Sequence, residues 1–201
     1  MGIDLENARR NGGIFAGLRP APHRTSPATA PTSVPAAADA AFDGDPSRYP
    51  LILHVYPSIS HFDGRGANLA WLQELPDPVA TAVWRNWVEI NPKTGERLGL
   101  ADGDGVVVTS PSGSLTAFVV FHPAIAENVA AMPLGQGHTR YGKNARDRGG
   151  NPFFLLPPAE ESVSKGPSRQ STRVFLAKAA VKGSLVRTVN PEGQWKYENI
   201  L

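Results

Sequence analysis

The residues best suited to binding a ligand lie in a glycine-rich stretch between residues 135 and 151. It contains four cationic side chains suited to phosphate groups: Arg140, Lys143, Arg146 and Arg148. The amides of Gln136, Asn144 and Asn151 could pair with the edge of a purine or pterin ring. The same composition is also that of a solvated basic loop, or of a loop that docks on an acidic protein.

A second polar segment, residues 57–66, follows a short β-prone apolar run. It contains His61 and Asp63, and His138 lies in the glycine-rich stretch. Loops that follow strands can hold anionic or heteroaromatic ligands, although loop histidines also occur on surfaces that bind nothing. The five histidines show no spacing typical of metal ligands, so we predict no metal site built by this chain.

No catalytic residue can be assigned from sequence patterns. Ser58, Ser60 and Ser114 are not flanked by the Gly-x-Ser-x-Gly pattern of hydrolases. Gly64 and Gly66 lack the third glycine of a dinucleotide fingerprint. Because the chain has no cysteine, it can supply neither a thiolate ligand for zinc nor an iron–sulfur cluster.

Composition excludes several classes of protein. The 201 residues suffice for one ordinary domain with tails. The net charge of +2 is too small for binding driven by nucleic-acid phosphates, so we predict no nucleic-acid partner. No run approaches the roughly 18 apolar residues of a membrane-spanning helix, so none is expected. Arg9 and Arg10 are not followed by the apolar core of an export signal, so we expect no signal peptide and leave the compartment open.

The elements that must position these loops follow from local patterns. Residues 1–48, rich in Pro, Ala, Ser and Thr, are expected to form a disordered segment and linker. Residues 49–180 are expected to form the folded domain, and residues 181–201 a C-terminal tail. Strands are predicted over residues 51–56, 81–90, 106–110, 114–121, 129–134 and 172–178. Helical segments are predicted over residues 67–75 and 93–98. Short strands with frequent turn signals predict a compact barrel of mixed β topology.

Several ordered motifs are similar to those of a known family. Residues 88–92, 98–106, 112–114, 135–138 and 151–152 resemble the C-terminal molybdopterin-dinucleotide-binding domain of the dimethyl-sulfoxide-reductase superfamily. Residues 56–58, 62–68 and 71–78 look closest to one branch, the molybdopterin-oxidoreductase-like, iron–sulfur-bearing subunit of alternative complex III, which is related to polysulfide reductase. The resemblance covers about residues 50 to 178.

The resemblance implies a mainly β fold, a double-psi β-barrel of the aspartate-decarboxylase-like type with short helices. In the larger enzymes this barrel caps one side of a bis-pterin guanine dinucleotide cofactor. Carried over by position, the cofactor-binding residues would be Ser58, Ser60, His61, Asp63, Asn68, Gln136, Gly137, His138, Arg140 and Asn151. Asn91 and Asp102 would be structural, capping a helix and closing a turn.

The departures from the family shape the expected function. Without cysteine the chain has no thiolate ligand for molybdenum, and its length leaves no room for the other three domains of a catalytic subunit. In alternative complex III the resembling subunit holds no molybdenum cofactor. The first hypothesis is therefore a subunit or segment that is not catalytic alone, within an electron-transfer complex that oxidises quinol.

The sequence also leaves two other functions open, and the resemblance implies partners and a location for the chain. The alternative is a working domain that binds molybdopterin guanine dinucleotide in a split molybdoenzyme. An independent hydrolase or decarboxylase has the least support, since no nucleophile with its base is visible. The expected partners are larger oxidoreductase subunits, both iron–sulfur and membrane subunits. By analogy the complex would lie on the periplasmic face of a bacterial inner membrane.

Overall fold

The fold is built around one closed β-barrel. The computed structural model describes residues 42–160, 165–166 and 170–188. Most of the predicted N-terminal segment and the end of the predicted tail lie outside these ranges. No helix among the described residues is long and apolar enough to cross a membrane.

Six strands form the barrel, and their order around it differs from their order in the chain. They are β1 (Leu51–Tyr56), β3 (Trp87–Ile90), β4 (Gly105–Thr109), β5 (Ser114–Phe121), β6 (Val129–Pro133) and β7 (Arg173–Lys178). The order around the barrel is β1-β6-β3-β5-β4-β7. β1 pairs with β6, and β3 with β5, in parallel, whereas the other neighbours are antiparallel. The predicted mainly β barrel with short helices is confirmed.

Alternating burial explains why these segments form strands that face one interior. In β1, Leu51, Leu53 and Val55 are buried, whereas the residues between them are partly exposed. In β4, Val106 and Val108 are buried in the same way. Since successive side chains of a strand point to opposite faces, β1 and β4 each bury one row of side chains in the barrel, whereas β3 is buried on both faces. The β1 row and the β4 row belong to one core cluster.

The short helix between β3 and β4 forms as predicted. This helix, which we number α2 (Pro92–Leu98), is preceded by Asn91, whose side chain accepts a hydrogen bond from the backbone of Lys93. Gly99 ends the helix in the left-handed conformation, with φ of 66°. The predicted cap at Asn91 is therefore confirmed, and the turn that follows sets the start of β4.

Two predicted elements are shorter or broken in the structure. The helix predicted over residues 67–75 is only one turn long, α1 (Ala70–Gln73), because turns occupy the residues before it. The strand predicted over residues 81–90 is divided into β2 (Ala82–Val83) and β3, because Trp84 between them has a φ of 62°. A residue in that conformation cannot continue an extended strand.

The chain beyond the barrel returns to its outer side. β2 pairs antiparallel with β8 (Val186–Arg187). Arg187 donates two hydrogen bonds to the carboxylate of Asp102, at 2.6 and 3.0 Å, and Asp102 also accepts one from the backbone of Phe121. Asp102 lies in the predicted turn and is structural, as expected, but its carboxylate binds Phe121 and Arg187, whereas the carboxylate of Asp104 accepts from the backbone of Ala101 within the turn.

Contacts near both predicted domain boundaries are present. Asp43 forms a β-bridge with Thr172, and its backbone donates to the carbonyl of Ser171. At the other end, β8 lies beyond residue 180. The boundaries at residues 48 and 180 stay a prediction, and these contacts show that described residues on both sides of them pack on the barrel.

Candidate functional site

The parallel pairing of β1 with β6 brings two polar loops to one edge of the barrel. Parallel strands end at the same edge, and the backbone of Leu134 donates to the carbonyl of Tyr56 at the point where both strands stop. The β1 loop (residues 57–69) and the β6 loop (residues 134–151) begin there. These loops contain all ten residues predicted to bind a cofactor.

Each loop supplies a glycine that packs against a histidine of the other loop. A Cβ atom added at Gly135 would lie 2.5 Å from Cβ of His61, and one added at Gly64 would lie 2.8 Å from Nε2 of His138. Both glycines have φ above 100°, a conformation that other residues rarely adopt. We call His61, Gly64, Gly135 and His138 the interlock. In the interlock each glycine lies so close to a histidine that a side chain at either glycine would separate the two loops.

The imidazoles of the interlock carry polar atoms without partners. His61 is 7% exposed, and its Nδ1 lies 3.1 Å from Oγ of Ser60. Nε2 of His61 and Nε2 of His138 are both buried and have no hydrogen-bond partner in the described protein. Burial, together with the neighbouring His138, lowers the pKa of His61 below 6.5. Burial therefore favours the neutral ring of His61, whose Nε2 has no partner among the described residues.

A pair of buried amides forms the wall beside the interlock. Nε2 of Gln136 donates to Oε1 of Gln73 at 2.8 Å, and Nε2 of Gln73 donates to the carbonyl of Ala67 at 2.7 Å. The amide of Gln136, predicted to face the pterin, is thus used to join the β6 loop to α1. Gln73 was missed as a site residue by the sequence predictions. Its position next to Leu72 on a predicted helix could have indicated a buried amide.

The remaining polar residues of the two loops largely hold the loops in shape. Oγ of Ser58 accepts from the backbone of His61 at 3.0 Å. Oδ1 of Asn68 accepts from the backbone of Asn144 at 3.1 Å, and Asn144 donates back to the Asn68 carbonyl. Oδ1 of Asn151 accepts from a backbone amide and caps a 3₁₀ turn, Pro152–Leu155. These bonds give a well-defined frame around the two unpaired imidazole nitrogens.

The rim of the site is exposed and charged. Asp63 forms an ion pair with Arg65 at 2.7 Å, and this arginine lowers the pKa of Asp63 to about 2. The guanidinium of Arg65 lies over the ring of Phe62, and the hydroxyl of Tyr141 donates to the Arg65 carbonyl at 2.9 Å. Arg140 is exposed beside Tyr141. Asp63 and Arg140 therefore lie at the rim and not within the interlock.

The four cations of the β6 loop do not form one cluster. The guanidinium of Arg148 lies 4.8 Å from the ring centre of Trp84, with its Nε buried and unpaired. Arg146 lies 3.7 Å from Asp147 in an exposed pair. Arg148 is therefore half-buried on the barrel, whereas Arg146 faces solvent as Arg140 does.

The structure thus brings together most of the predicted site. At the joined loops lie Ser58, Ser60, His61, Asn68, Gln136, Gly137, His138 and Asn151. Whether each of them touches a ligand stays a prediction. In the part of the chain that the structure describes, no group of three or more His, Asp or Glu side chains could hold a metal ion.

The fold is thus a closed barrel whose parallel strands β1 and β6 end in two joined polar loops. The family model described as "Molydopterin dinucleotide binding domain" matches residues 67–173. Since this is more than half of the chain, the protein belongs to that molybdopterin dinucleotide-binding family. The prediction of this family is confirmed, while the resemblance to alternative complex III stays a proposal.

Curated relatives and a solved structure agree with this assignment. The chain is 37% identical over 103 residues to the molybdopterin-containing subunit ArrA of an arsenate respiratory reductase from Shewanella sp. (strain ANA-3). It is 34% identical over 110 residues to the molybdopterin-binding-like subunit of a menaquinone reductase from Nitratidesulfovibrio vulgaris. Each match covers 51% of this chain, but only 12% and 16% of those proteins. The chain therefore spans a small part of the length of the relatives it matches.

The barrel itself is shared with acetylene hydratase from Pelobacter acetylenicus. That structure superposes with a TM-score of 0.56 and 17% sequence identity, over 71% of this chain and 21% of the other. At this identity the likeness concerns the fold alone.

Proposed function

We propose that this chain is the molybdopterin-dinucleotide-binding-like part of a larger electron-transfer oxidoreductase of the alternative complex III type. It would not be catalytic alone, and it would contribute structural contacts around a pterin pocket that need not be filled. The observation that carries the proposal is the pair of polar loops joined at one edge of the barrel by the interlock, in a chain of the molybdopterin dinucleotide-binding family. The likeness to the molybdopterin-binding-like subunit of a menaquinone reductase supports this type of complex. The site holds no cysteine, so a redox centre bound through thiolates would come from another chain or segment.

The residues present fit the edge of a fused heterocycle. Leaving a buried polar atom unpaired costs free energy, so a ligand that paired with Nε2 of His61 and of His138 would be stabilised by doing so. A pterin edge offers ring nitrogen and carbonyl groups, which suit neutral imidazoles. His61 and His138 would hold this edge. When bound, the cofactor supplies the electron-transfer chemistry of the assembly.

The chain's own residues would orient the ligand and exclude water from it. The Ser60 hydroxyl fixes the ring of His61 through Nδ1, which leaves Nε2 for the ligand. The Gln73–Gln136 pair closes the wall behind the ligand, because both amides are buried and bonded to each other. The glycines of the interlock keep the two loops close enough to shield these groups.

A second candidate function is a working domain that binds molybdopterin guanine dinucleotide in a split molybdoenzyme. The likeness to the arsenate reductase subunit ArrA, whose name describes it as molybdopterin-containing, favours this candidate. In both candidates the proposed partners are larger iron–sulfur and membrane subunits, and the proposed location is the periplasmic face of a bacterial inner membrane. The two differ in whether the pterin pocket is filled.

Analysis of the assembled complex separates the two candidates. The full chain would be purified from its native source with whatever remains bound, and then analysed for molybdenum, tungsten, iron, haem and pterin fluorescence. Iron and haem without molybdenum or pterin support the alternative complex III type, whereas molybdenum or tungsten with pterin supports the working domain. A stand-alone monomer with none of these contradicts both.

A variant pair tests the site in a complex that does contain pterin. The double substitution of His61→Asn and His138→Asn is expected to reduce the retained pterin. His54→Asn is the matched control, since His54 stacks on Tyr56 in β1 and lies outside the interlock. Equal pterin content in the double variant and the control would show that the imidazoles do not hold the ligand.

A further inference from the structure

The interlock joins two loops that are far apart in sequence through groups that can change charge. Gly64 of the β1 loop packs on His138, and Gly135 of the β6 loop packs on His61. This reciprocal packing leaves little room for either ring to move while the loops stay closed. The geometry therefore makes the protonation state of the rings and the closure of the loops interdependent.

Protonating these rings would place charge where the protein does not compensate it. Each buried Nε2 would carry an N–H with no acceptor among the described residues. Two charged imidazoles would also repel each other across the junction of the loops. A charged group that is buried without a partner has a lower free energy in water. Opening of the loops would expose the charged ring to water.

The other charged groups near the two loops do not compensate a charge on either imidazole. They are Asp63 and Arg65 on the β1 loop, Glu74 after α1, and Arg140, Lys143, Arg146, Asp147 and Arg148 on the β6 loop. Asp63 pairs with Arg65, and Asp147 lies beside Arg146. Glu74 is exposed. In the described part of the chain, no ion pair or hydrogen bond joins a carboxylate to either imidazole of the interlock.

We propose that the interlock is a proton-sensitive latch, which holds the β1 loop against the β6 loop while the buried imidazole of His61 is neutral and releases them when it is protonated. The lowered pKa of His61 agrees with this direction, because the closed loops favour the neutral ring. Closure is therefore most stable above pH 6.5 and weakens as the pH falls below that value. A consequence that rests on the proposed function is that acid releases the bound pterin.

Hydrogen exchange on the full chain tests the latch without any ligand. Amide protection would be measured at pH 7.5 and pH 5.5 and corrected for intrinsic exchange rates. We expect protection to be lost at pH 5.5 in residues 57–69 and 134–151 but kept in the barrel strands. Unchanged protection of both loops between pH 7.5 and pH 5.5 would overturn the latch. This result does not depend on whether the proposed function is correct.

Variants link the response to the two histidines. His61→Asn and His138→Asn should each reduce the pH response of the loops, whereas the control His54→Asn should keep it. Gly64→Ala should open the loops even at pH 7.5, because the added Cβ meets Nε2 of His138. If the asparagine variants respond to pH as the wild type does, the histidines are not the latch. The wild-type measurement decides the question even if a variant fails to fold.

One further measurement separates the latch from the proposed function. In a complex that contains pterin, pterin release would be followed by fluorescence at both pH values. Release at pH 5.5 together with loop opening supports both proposals. Loop opening in a complex that contains no pterin at either pH supports the latch alone and contradicts the working-domain candidate.

Discussion

Among single residues, Glu89 shows how the barrel accommodates a buried carboxylate. Glu89 is 4% exposed in β3. Its Oε1 accepts from the hydroxyl of Tyr56 at 2.5 Å and from Nε1 of Trp87 at 2.8 Å, and its Oε2 lies 3.2 Å from Nδ1 of His122. Three partners from three strand ends compensate for the lost hydration of the carboxylate. Glu89 thus connects β1, β3 and the residue after β5.

This cluster predicts how stability depends on alkaline pH. Burial and the charge of Glu89 raise the pKa of Tyr56 well above its ordinary value of 10. The unfolded chain loses the Tyr56 proton near pH 10 while the folded chain keeps it, so stability is lost as the pH rises above 10. Urea unfolding between pH 8 and 11 should show a flatter decline for Tyr56→Phe than for wild type. The same decline in both proteins, with Tyr141→Phe as the exposed control, would contradict this prediction.

Gly137 provides a second prediction for a single residue. It has a φ of 91°, and an added Cβ would collide with the backbone nitrogen of Asn151. Gly103 has a φ of 85° but open space around it. Gly103→Ala should therefore cost about 1 kcal/mol of stability, and Gly137→Ala roughly 2–3 kcal/mol more, because backbone must also move. Chemical denaturation measures both, and equal losses would mean that the β6 loop adapts freely.

At the scale of elements, one ion pair holds β8 against the barrel. Arg187 is largely buried and donates both of its hydrogen bonds to Asp102. By contrast, Lys178 forms a more exposed pair with Asp104, at 2.7 Å. Buried charge-assisted bonds contribute more than exposed ones because solvent screens the latter. Asp102 and Arg187 therefore supply the ion pair of this attachment, and Ala82 and Leu185 supply apolar contacts with Trp87 and Val120.

Alanine variants test this attachment. Arg187→Ala should cost about 1–3 kcal/mol and expose the amides of β8 to hydrogen exchange, because Asp102 loses its partner. Lys178→Ala should cost about 0–1 kcal/mol. Thermal denaturation and hydrogen exchange would measure the two effects. A larger loss for Lys178→Ala than for Arg187→Ala would show that β8 is held in another way.

At the scale of the whole molecule, the edge of the barrel that carries the site is also rich in exposed apolar side chains. Ile59, Phe62 and Trp71 are 72%, 53% and 67% exposed. They lie on the β1 loop and α1, and Tyr141 of the β6 loop is exposed as well. Exposed apolar side chains concentrated near one site are typical of surfaces that contact another protein. This agrees with the proposal that the chain works within a larger assembly.

The cations at this edge are predicted to contribute to association. Replacing Arg140, Arg146 and Arg148 together with Ala should weaken binding to a co-purified partner in a salt-sensitive way, by about 1.5–3 kcal/mol for each bond shielded from water. Affinity measured at low and high salt tests this. Unchanged affinity at low ionic strength would contradict it. Arg148→Ala alone is the control for folding, since that side chain packs on Trp84.

The sequence by itself determined most of the barrel strands, the α2 cap and the family, because those depend on local patterns and ordered motifs: a short apolar run in β1, Asn91 before a helix, and glycine at turns. It did not reveal the division of the strand at Trp84 or the Gln73–Gln136 pair. Only the tertiary structure decided which polar groups of the two loops are used up within the protein and which stay unpaired. The physical reason is that hydrogen bonds between residues 63 positions apart depend on the closed barrel, which leaves no periodic mark in the chain.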